Sequence, residues 1–177
     1  MPEHERSHFE LLGLAERWAI DPDALKRSYL KLQRQFHPDR LGALDPALRR
    51  SAERRSIAIN EAHRVLSDAI KRARHLLQLR GLVTAEEGTV NLPEAFLLEQ
   101  LELRERAAQK GEDLARLAER VAGDWDALGR AFDAALEAGD LTGAEAVFHR
   151  MQFVNKLRIE LERSRQHRQG NESIAAD

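Results

Sequence analysis

The sequence contains no cysteine, and this absence removes a whole class of chemistry. Without thiols the chain has no disulfide, no cysteine nucleophile and no thiolate ligand for zinc or an iron–sulfur cluster. Aromatic residues make up only 5% of the 177 residues, whereas β-sheets are rich in aromatic and β-branched side chains. Together with 33% charged residues, this composition favours an all-α protein with a highly charged surface over a β-sandwich.

Long apolar runs are also missing. No stretch approaches the about 18 consecutive apolar residues that a membrane-spanning helix needs. The first residues, Met-Pro-Glu-His-Glu-Arg, lack the apolar segment of a signal peptide, so we expect a cytoplasmic protein without a membrane partner. The net charge of −2 gives no global attraction to nucleic acid, so any charge-driven binding must be local.

The chain does contain a pattern typical of a basic amphipathic helix that ends at His37-Pro38-Asp39. Asp21 is a favourable N-cap, and Pro22 suits the first helical position. Four residues at spacings of four, three and four then form one apolar face: Leu25, Tyr29, Leu32 and Phe36. Because Pro38 disfavours α conformation in the preceding residue, the helix should end near His37 and leave the Asp39 carboxylate at a turn.

The remaining faces of this predicted helix are basic. Five cations stand against two carboxylates between residues 23 and 40, a local charge of +3. The cations are Lys26, Arg27, Lys31, Arg34 and Arg40. Such a face suits an acidic protein surface or the phosphates of a nucleic acid, although the missing aromatic platform and the negative net charge argue against nucleic acid. Taken alone, His-Pro-Asp is also compatible with an ordinary helix stop.

The surroundings of the tripeptide resemble the J-domain of DnaJ-type co-chaperones. A J-domain has a short helix before the basic helix, and here Phe9, Leu11, Leu12 and Leu14 can supply it. It also has a long antiparallel helix afterwards, and residues 57–68, Ile-Ala-Ile-Asn-Glu-Ala-His-Arg-Val-Leu-Ser-Asp, are similar to the end of that helix. The spacing predicts one apolar face for it, made of Ala58, Ala62, Val65 and Ala69. Asp68 is expected to cap a further helix that stops at Gly81.

Three more helices are predicted after a connecting segment. The first opens at Pro93 and runs to about Gln109. The second has a long apolar stripe, is expected to bend or fray near 123–126 because of its glycines, and ends at Gly139. Its stripe comprises Leu114, Leu117, Val121, Trp125, Leu128, Phe132 and Leu136. The third starts at a Thr142–Glu145 capping box, and its predicted face comprises Val147, Met151, Val154, Arg158 and Leu161.

The predicted organisation is therefore all-α, with a J-domain helical hairpin followed by a C-terminal three-helix bundle. We assign 7–81 to the J-domain, 82–91 to a linker and 92–165 to the bundle. The polar residues 166–177 are expected to form a disordered tail.

Residues 95–105 have apolar side chains on more of the helix circumference than one buried face requires. Phe96, Leu103 and Ala107 share a line that can pack on the other two helices. A second group lies off that line: Leu97, Leu98 and Leu101, beside Glu102 and Glu105. This group is an exposed apolar binding patch with acidic neighbours, part of a broad core face, or a surface that packs against the J-like domain.

Residues 95–105 are similar to the scaffold-binding helix of the HscB family, the J-proteins of iron–sulfur cluster assembly. The similarity extends from about residue 8 to 163 and includes Phe-x-Leu-Leu-Gly-Leu at 9–14, Leu-Gln-Arg-Gln-Phe-His-Pro-Asp at 32–39 and Phe-Val-Asn-Lys-Leu-Arg at 153–158. It implies contacts to an IscU-type scaffold by Leu97, Leu98, Leu101, Glu102, Glu105 and Phe153. Phe153 is alternatively an apolar residue at the edge of the core. Gln109 stands where an acidic residue would extend the patch, which shortens its acidic rim.

The resemblance implies a co-chaperone with two docking surfaces. The His37-Pro38-Asp39 turn and the basic helix would stimulate the ATPase of an HscA-like chaperone of DnaK type, and the bundle would deliver the scaffold to it for cluster transfer. We expect no cofactor, no metal site and no enzymatic activity, since the seven histidines show no ligand spacing and no nucleophile has a nearby base. The alternatives are a J-protein with a different client and a helical adaptor that binds nucleic acid through its basic helix.

Overall fold

The computed structural model describes residues 7–36, 46–84, 92–109 and 113–174, and this part of the chain is all-α, as predicted. Its helices are α1 (His8–Leu12), α2 (Pro22–Phe36), α3 (Pro46–Ser67), α4 (Ala69–Leu79), α5 (Glu94–Ala108), α6 (Leu114–Glu137) and α7 (Leu141–Ile174). The chain divides into two compact units, Met1–Val83 with α1 to α4 and Thr84–Asp177 with α5 to α7. None of the described helices is long and apolar enough to cross a membrane.

The first unit is built on the antiparallel pair α2 and α3. The Tyr29 hydroxyl donates a hydrogen bond to Asn60 Oδ1 at 3.2 Å, and Arg55 lies over the Phe36 ring, 4.8 Å from its centroid. Helices α1 and α4 pack against α3 and complete a core that includes Phe9, Leu12, Ile59, Leu66 and Leu76. This core holds α2 by one face and leaves its other faces to solvent.

Local signals in the sequence located the helix ends of this unit correctly. Asp21 Oδ1 accepts the Asp23 backbone N–H at 2.8 Å, and α2 begins at Pro22 as predicted. Asp68 caps α4 by accepting the backbone N–H groups of Ile70 and Lys71, each at 3.0 Å. Gly81, just after α4, has a φ of 80°, which glycine adopts without strain.

The predicted face of α3 was wrong by about one residue. The structure buries Ala52, Ile59, Ala62 and Leu66, whereas Ala58 is exposed. Both series have helical spacing and share only Ala62. Burial of Ile59 and Leu66 removes more apolar area from water than burial of alanines does, and this difference determines which side of α3 faces the core.

The second unit is a three-helix bundle in which α6 and α7 make the most extensive contact and α5 packs on both. Helix α6 is continuous from Leu114 to Glu137, so it does not fray near 123–126. Val121 just before this stretch and Trp125 within it are buried. Their packing outweighs the cost of about 1 kcal/mol for a glycine such as Gly123 in a helix.

Helix α7 differs from its prediction at its start, face and end. Asp140, not Thr142, supplies the cap, because Asp140 Oδ1 accepts the Gly143 backbone N–H at 2.8 Å. Val147 is only half-buried, and exposed Arg158 lies over the Trp125 ring, 4.9 Å from its centroid. The buried face is Ala144, Phe148, Met151, Val154, Leu157 and Leu161. The helix continues to Ile174, so the expected disorder of 166–177 does not agree with the described backbone up to that residue.

The Asp140 cap leads to a stability prediction. Replacing Asp140 with alanine is expected to lower the free energy of unfolding by about 1 kcal/mol, because the Gly143 N–H loses its acceptor. Thr142→Ala is the matched control and should change it by less than about 0.5 kcal/mol. Urea unfolding followed by circular dichroism measures both. A larger decrease in the free energy of unfolding for Thr142→Ala than for Asp140→Ala would instead support the Thr142–Glu145 capping box predicted from the sequence.

A stacked histidine pair joins α1 to α4. The rings of His8 and His75 lie 4.3 Å apart, and the His8 backbone N–H donates to His75 Nε2 at 3.4 Å, which requires that nitrogen to be unprotonated. Burial lowers the pKa of both side chains, and the neighbouring His8 lowers the pKa of His75 further. The folded chain therefore resists protonation of this pair more than the unfolded chain does.

The stability of the first unit should consequently depend on pH. Above the ordinary histidine pKa of 6.5 the pair is neutral in both states and its contribution is complete. As the pH falls below that value the unfolded chain binds protons first, so the free energy of unfolding decreases. Urea unfolding at a series of pH values should show a smaller decrease for His75→Gln than for the wild type. Equal decreases in the free energy of unfolding for the two proteins would show that the His8–His75 pair does not cause the pH dependence.

Candidate docking surfaces

The solvent face of α2 carries three cations in register. Arg27, Lys31 and Arg34 follow at spacings of four and three, are all exposed, and lie opposite buried Leu25. Arg27 pairs with Asp21 at 3.4 Å on the open surface, where such pairs contribute little to stability. The backbone N–H of Asp23 is the main cause of the lowered pKa of the Asp21 carboxyl. The face is therefore positively charged and accessible to a partner.

The other predicted contacts of this region are placed differently. Lys26 lies to one side of the three cations and lines a cavity with Tyr29 and His63. The described part of α2 reaches Phe36, and the predicted stop near His37 lies outside the described residues. His37, Pro38, Asp39 and Arg40 lie outside the described residues, so the turn and its role stay a prediction.

The structure exposes the three leucines of α5. The relative exposure of Leu97 is 40%, that of Leu98 is 53% and that of Leu101 is 52%. Glu102 and Glu105 beside them are also exposed. We call these five residues the α5 patch. The interpretation of these leucines as part of a broad core face does not agree with these exposures.

The α5 patch is exposed because α5 buries a different side. Gln100 and Leu103 are buried, and Phe96 and Ala107 are half-buried along the same side. Arg104 Nε lies 3.5 Å from a Glu160 carboxylate oxygen on α7. Arg120 on α6 binds Glu99 with an N–O distance of 2.6 Å. These contacts hold α5 against both neighbours and fix the direction in which the leucines point.

Phe153, the sixth predicted scaffold contact, lies against α5. Its ring meets that of Phe96 edge to face, with centroids 6.3 Å apart and an interplanar angle of 78°. Lys156 Nζ lies 5.9 Å from the Phe153 centroid, and the Arg150 guanidinium lies 5.9 Å from that of Phe96. Since Leu97 directly follows Phe96, the structure brings half-buried Phe153 to the side of α5 that borders the α5 patch.

Comparisons with known proteins agree with this organisation. The DnaJ domain model matches residues 7–75, and the model of the HSCB C-terminal oligomerisation domain matches residues 92–162. The co-chaperone protein HscB homolog of Burkholderia thailandensis is 34% identical over 160 residues, which cover 88% of this chain and 91% of that protein. The homolog of Aeromonas salmonicida is 36% identical over 163 residues, which cover 89% and 95%. The chain belongs to the HscB family.

Solved structures support the same conclusion. Chaperone HscB from Vibrio cholerae has a TM-score of 0.77 and 27% identity, covering 92% of this chain and 99% of that one. Human co-chaperone protein HscB has a TM-score of 0.81, covering 93% of this chain and 84% of that one, and its 22% identity shows the shared fold. Membership in the HscB family makes the chain a J-domain co-chaperone with a role in iron–sulfur cluster assembly and implies a DnaK-type chaperone as partner.

The two units of this HscB-family chain have opposite charge. The first, Met1–Val83, has sixteen Lys and Arg against eleven Asp and Glu, a net charge of +5. The second, Thr84–Asp177, has twelve against nineteen, a net charge of −7. The net charge of −2 for the whole chain is therefore the sum of a basic first unit and an acidic second unit. Each unit favours partners of the opposite charge.

The predicted sites did not include one cationic group that the structure shows, the arginines in the first half of α3. The signal was present in the sequence as two Arg-Arg pairs, Arg49-Arg50 and Arg54-Arg55, within two turns of helix. They precede the segment by which the third J-domain helix was identified and belong to no motif, so the comparison by motif did not include them.

Proposed function

We propose that this chain stimulates the ATPase of an HscA-like chaperone of DnaK type and delivers an IscU-type scaffold to it, which promotes cluster transfer. The observation that carries the proposal is the exposure of Leu97, Leu98 and Leu101 beside two carboxylates in a chain whose first unit is a J-domain. In this proposal 7–81 is the J-domain, 82–91 the linker and 92–165 the scaffold-binding bundle. The chemistry of ATP hydrolysis belongs to the partner.

In this proposal the J-domain makes two kinds of contact with the chaperone. The exposed cations Arg27, Lys31 and Arg34 attract an acidic surface and raise the association rate more than the affinity. Asp39 makes the specific contact, a charge-assisted hydrogen bond to a basic group of the chaperone. Such bonds contribute about 1.5 to 3 kcal/mol. Stimulation should therefore weaken as the salt concentration rises.

On the bundle side, apolar burial supplies the affinity. Each half-exposed leucine still has apolar area that a partner can remove from water, at about 25 cal/mol per Å². Phe153 adds a partly exposed ring held edge to face by Phe96. Glu102 and Glu105 favour a scaffold whose contact surface is bordered by basic residues. The net charge of −7 on this unit acts in the same direction.

Two surfaces on one chain also raise the effective concentration of the scaffold near the chaperone. A linked second binding event is intramolecular, so the scaffold need not find the chaperone by free diffusion. This delivery distinguishes the proposal from a J-domain that only activates the ATPase.

The test is steady-state ATP hydrolysis by an HscA-like chaperone with the full-length chain, with and without an IscU-type scaffold. We expect stimulation by the chain alone, greater stimulation with the scaffold, and a decrease with added salt. Stimulation without any scaffold binding in a pull-down would identify a J-protein with a different client. Binding of duplex DNA at about 0.15 M salt without stimulation would identify a nucleic-acid adaptor.

A further inference from the structure

The first half of α3 carries a concentration of positive charge that the proposed function does not use. Residues 46–57 contain four arginines and one acid, Glu53, a local charge of +3. Arg49, Arg50 and Arg54 are exposed, and Arg55 is half-buried over the Phe36 ring. The other cations of this unit are spread over several elements, whereas this part of α3 carries four arginines within seven residues.

The contacts between α2 and α3 show where this charge lies. Tyr29 bonds to Asn60 and Phe36 meets Arg55, so the helices are antiparallel and the last residue of α2 is level with Arg55. Residues 46–54 of α3 therefore extend beyond the level of Phe36. At a rise of 1.5 Å per residue this extension is about 13 Å long. The stacking of Arg55 on Phe36 holds the C-terminal end of this extension against α2.

The extension presents a mixed cationic and apolar stripe. Arg50, Arg54 and Ile57 follow at spacings of four and three, on the side of α3 opposite buried Ala52 and Ile59. Ile57 has a relative exposure of 68%, which is high for a large apolar side chain. Protein interfaces are enriched in arginine and place apolar side chains among polar ones. An exposed isoleucine gains nothing from a phosphate backbone, so the stripe suits a protein partner better than nucleic acid.

We propose that this stripe, Arg50, Arg54 and Ile57 together with Arg49, is a second docking element for an acidic surface of the DnaK-type chaperone. It acts beside the α2 face, and the inference rests on the proposed function. Arginine binds carboxylates through a planar fork of donors, which makes it suited to such a surface. Two separated cationic elements on one rigid pair of helices fix the orientation of docking better than either element alone.

The test compares two full-length variants that lose the same charge from the same unit. R49Q/R50Q/R54Q removes the stripe, and R17Q/K71Q/R80Q removes three exposed cations elsewhere. For the first variant we expect the concentration that gives half-maximal ATPase stimulation to rise about tenfold at low salt and to depend less on salt. Maximal stimulation should persist, because the stripe binds and does not trigger hydrolysis. The second variant should stay within about twofold of the wild type.

A lysine variant separates charge from structure. R49K/R50K/R54K keeps all three charges but not the planar fork, and should recover part of the lost affinity, whereas a misfolded helix would recover none. Equal half-maximal concentrations for the two glutamine variants would overturn the inference while the proposed function stands. Absence of stimulation by the wild type would overturn both. Selective loss of duplex-DNA binding by R49Q/R50Q/R54Q, with stimulation unchanged, would assign the stripe to nucleic acid and overturn the inference.

Discussion

Replacing Asp39 with asparagine is expected to lower stimulation of the chaperone ATPase by at least about tenfold while the chain keeps its fold. Asparagine has nearly the same shape but no charge, so the charge-assisted hydrogen bond to the chaperone is lost. A bond worth about 1.5 to 3 kcal/mol corresponds to a factor of about 10 to 150 in the stimulated rate. Steady-state hydrolysis by an HscA-like chaperone at a saturating concentration of the variant measures the effect.

Asp23→Asn is the matched control for this experiment. Asp23 is an exposed carboxylate in the first turn of α2, at the other end of the helix from the His-Pro-Asp segment. Its loss removes the same charge, alters the helix dipole interaction by less than about 1 kcal/mol, and should leave stimulation unchanged. Both variants should bind the scaffold like the wild type. Full stimulation by the Asp39 variant would show that the motif is an ordinary helix stop.

The triple variant L97A/L98A/L101A is expected to lose scaffold binding by about two orders of magnitude. Each substitution removes about three carbon atoms from a side chain that is half-exposed in the free chain, or about 1 kcal/mol of burial on binding. Three such losses give about 3 kcal/mol, and every 1.4 kcal/mol is about tenfold. Titration calorimetry with an IscU-type scaffold measures the affinity directly.

The fold should survive these substitutions, since alanine is the best helix former and the three leucines lie outside the core. ATPase stimulation without scaffold should therefore match the wild type. The control is L79A/V83A/I159A, which removes three exposed apolar side chains from other positions. Similar scaffold affinities for the two triple variants would show that the α5 patch is not the binding site. E102Q/E105Q should instead reduce the association rate and its salt dependence.

Much of the fold was predictable because its signals are local. Asp21 with Pro22, Asp68, Gly81 and Gly139 each mark a helix end through backbone geometry or a single hydrogen bond, and the structure has helix ends at each of them. The caps of α7 show the limit of such reasoning. Thr142 and Asp140 both have suitable side chains, and only the path of the chain after Gly139 decides that Asp140 reaches the Gly143 N–H.

Buried faces were less predictable where two series of residues had the same spacing. For α6 the stripe of large side chains was unambiguous, and the structure buries it almost completely. For α3 and α7 the predicted faces included exposed Ala58 and exposed Arg158. The choice depends on which neighbouring helix is present and how much apolar area each orientation buries, and neither quantity is local.

The sequence by itself determined the all-α fold, the family and the basic helix, and it indicated the residues proposed to bind the scaffold. Motifs and spacing are properties of the chain alone, which is why these features needed no tertiary structure. The exposure of the α5 patch was decided only by tertiary structure. Leu97 and Leu103 are equally apolar, yet α6 and α7 cover one and leave the other to solvent. The position of Arg49, Arg50 and Arg54 beyond the level of Phe36 was likewise decided by the contact of Phe36 with Arg55. Burial is a property of two surfaces in contact, and a single segment specifies only one of them.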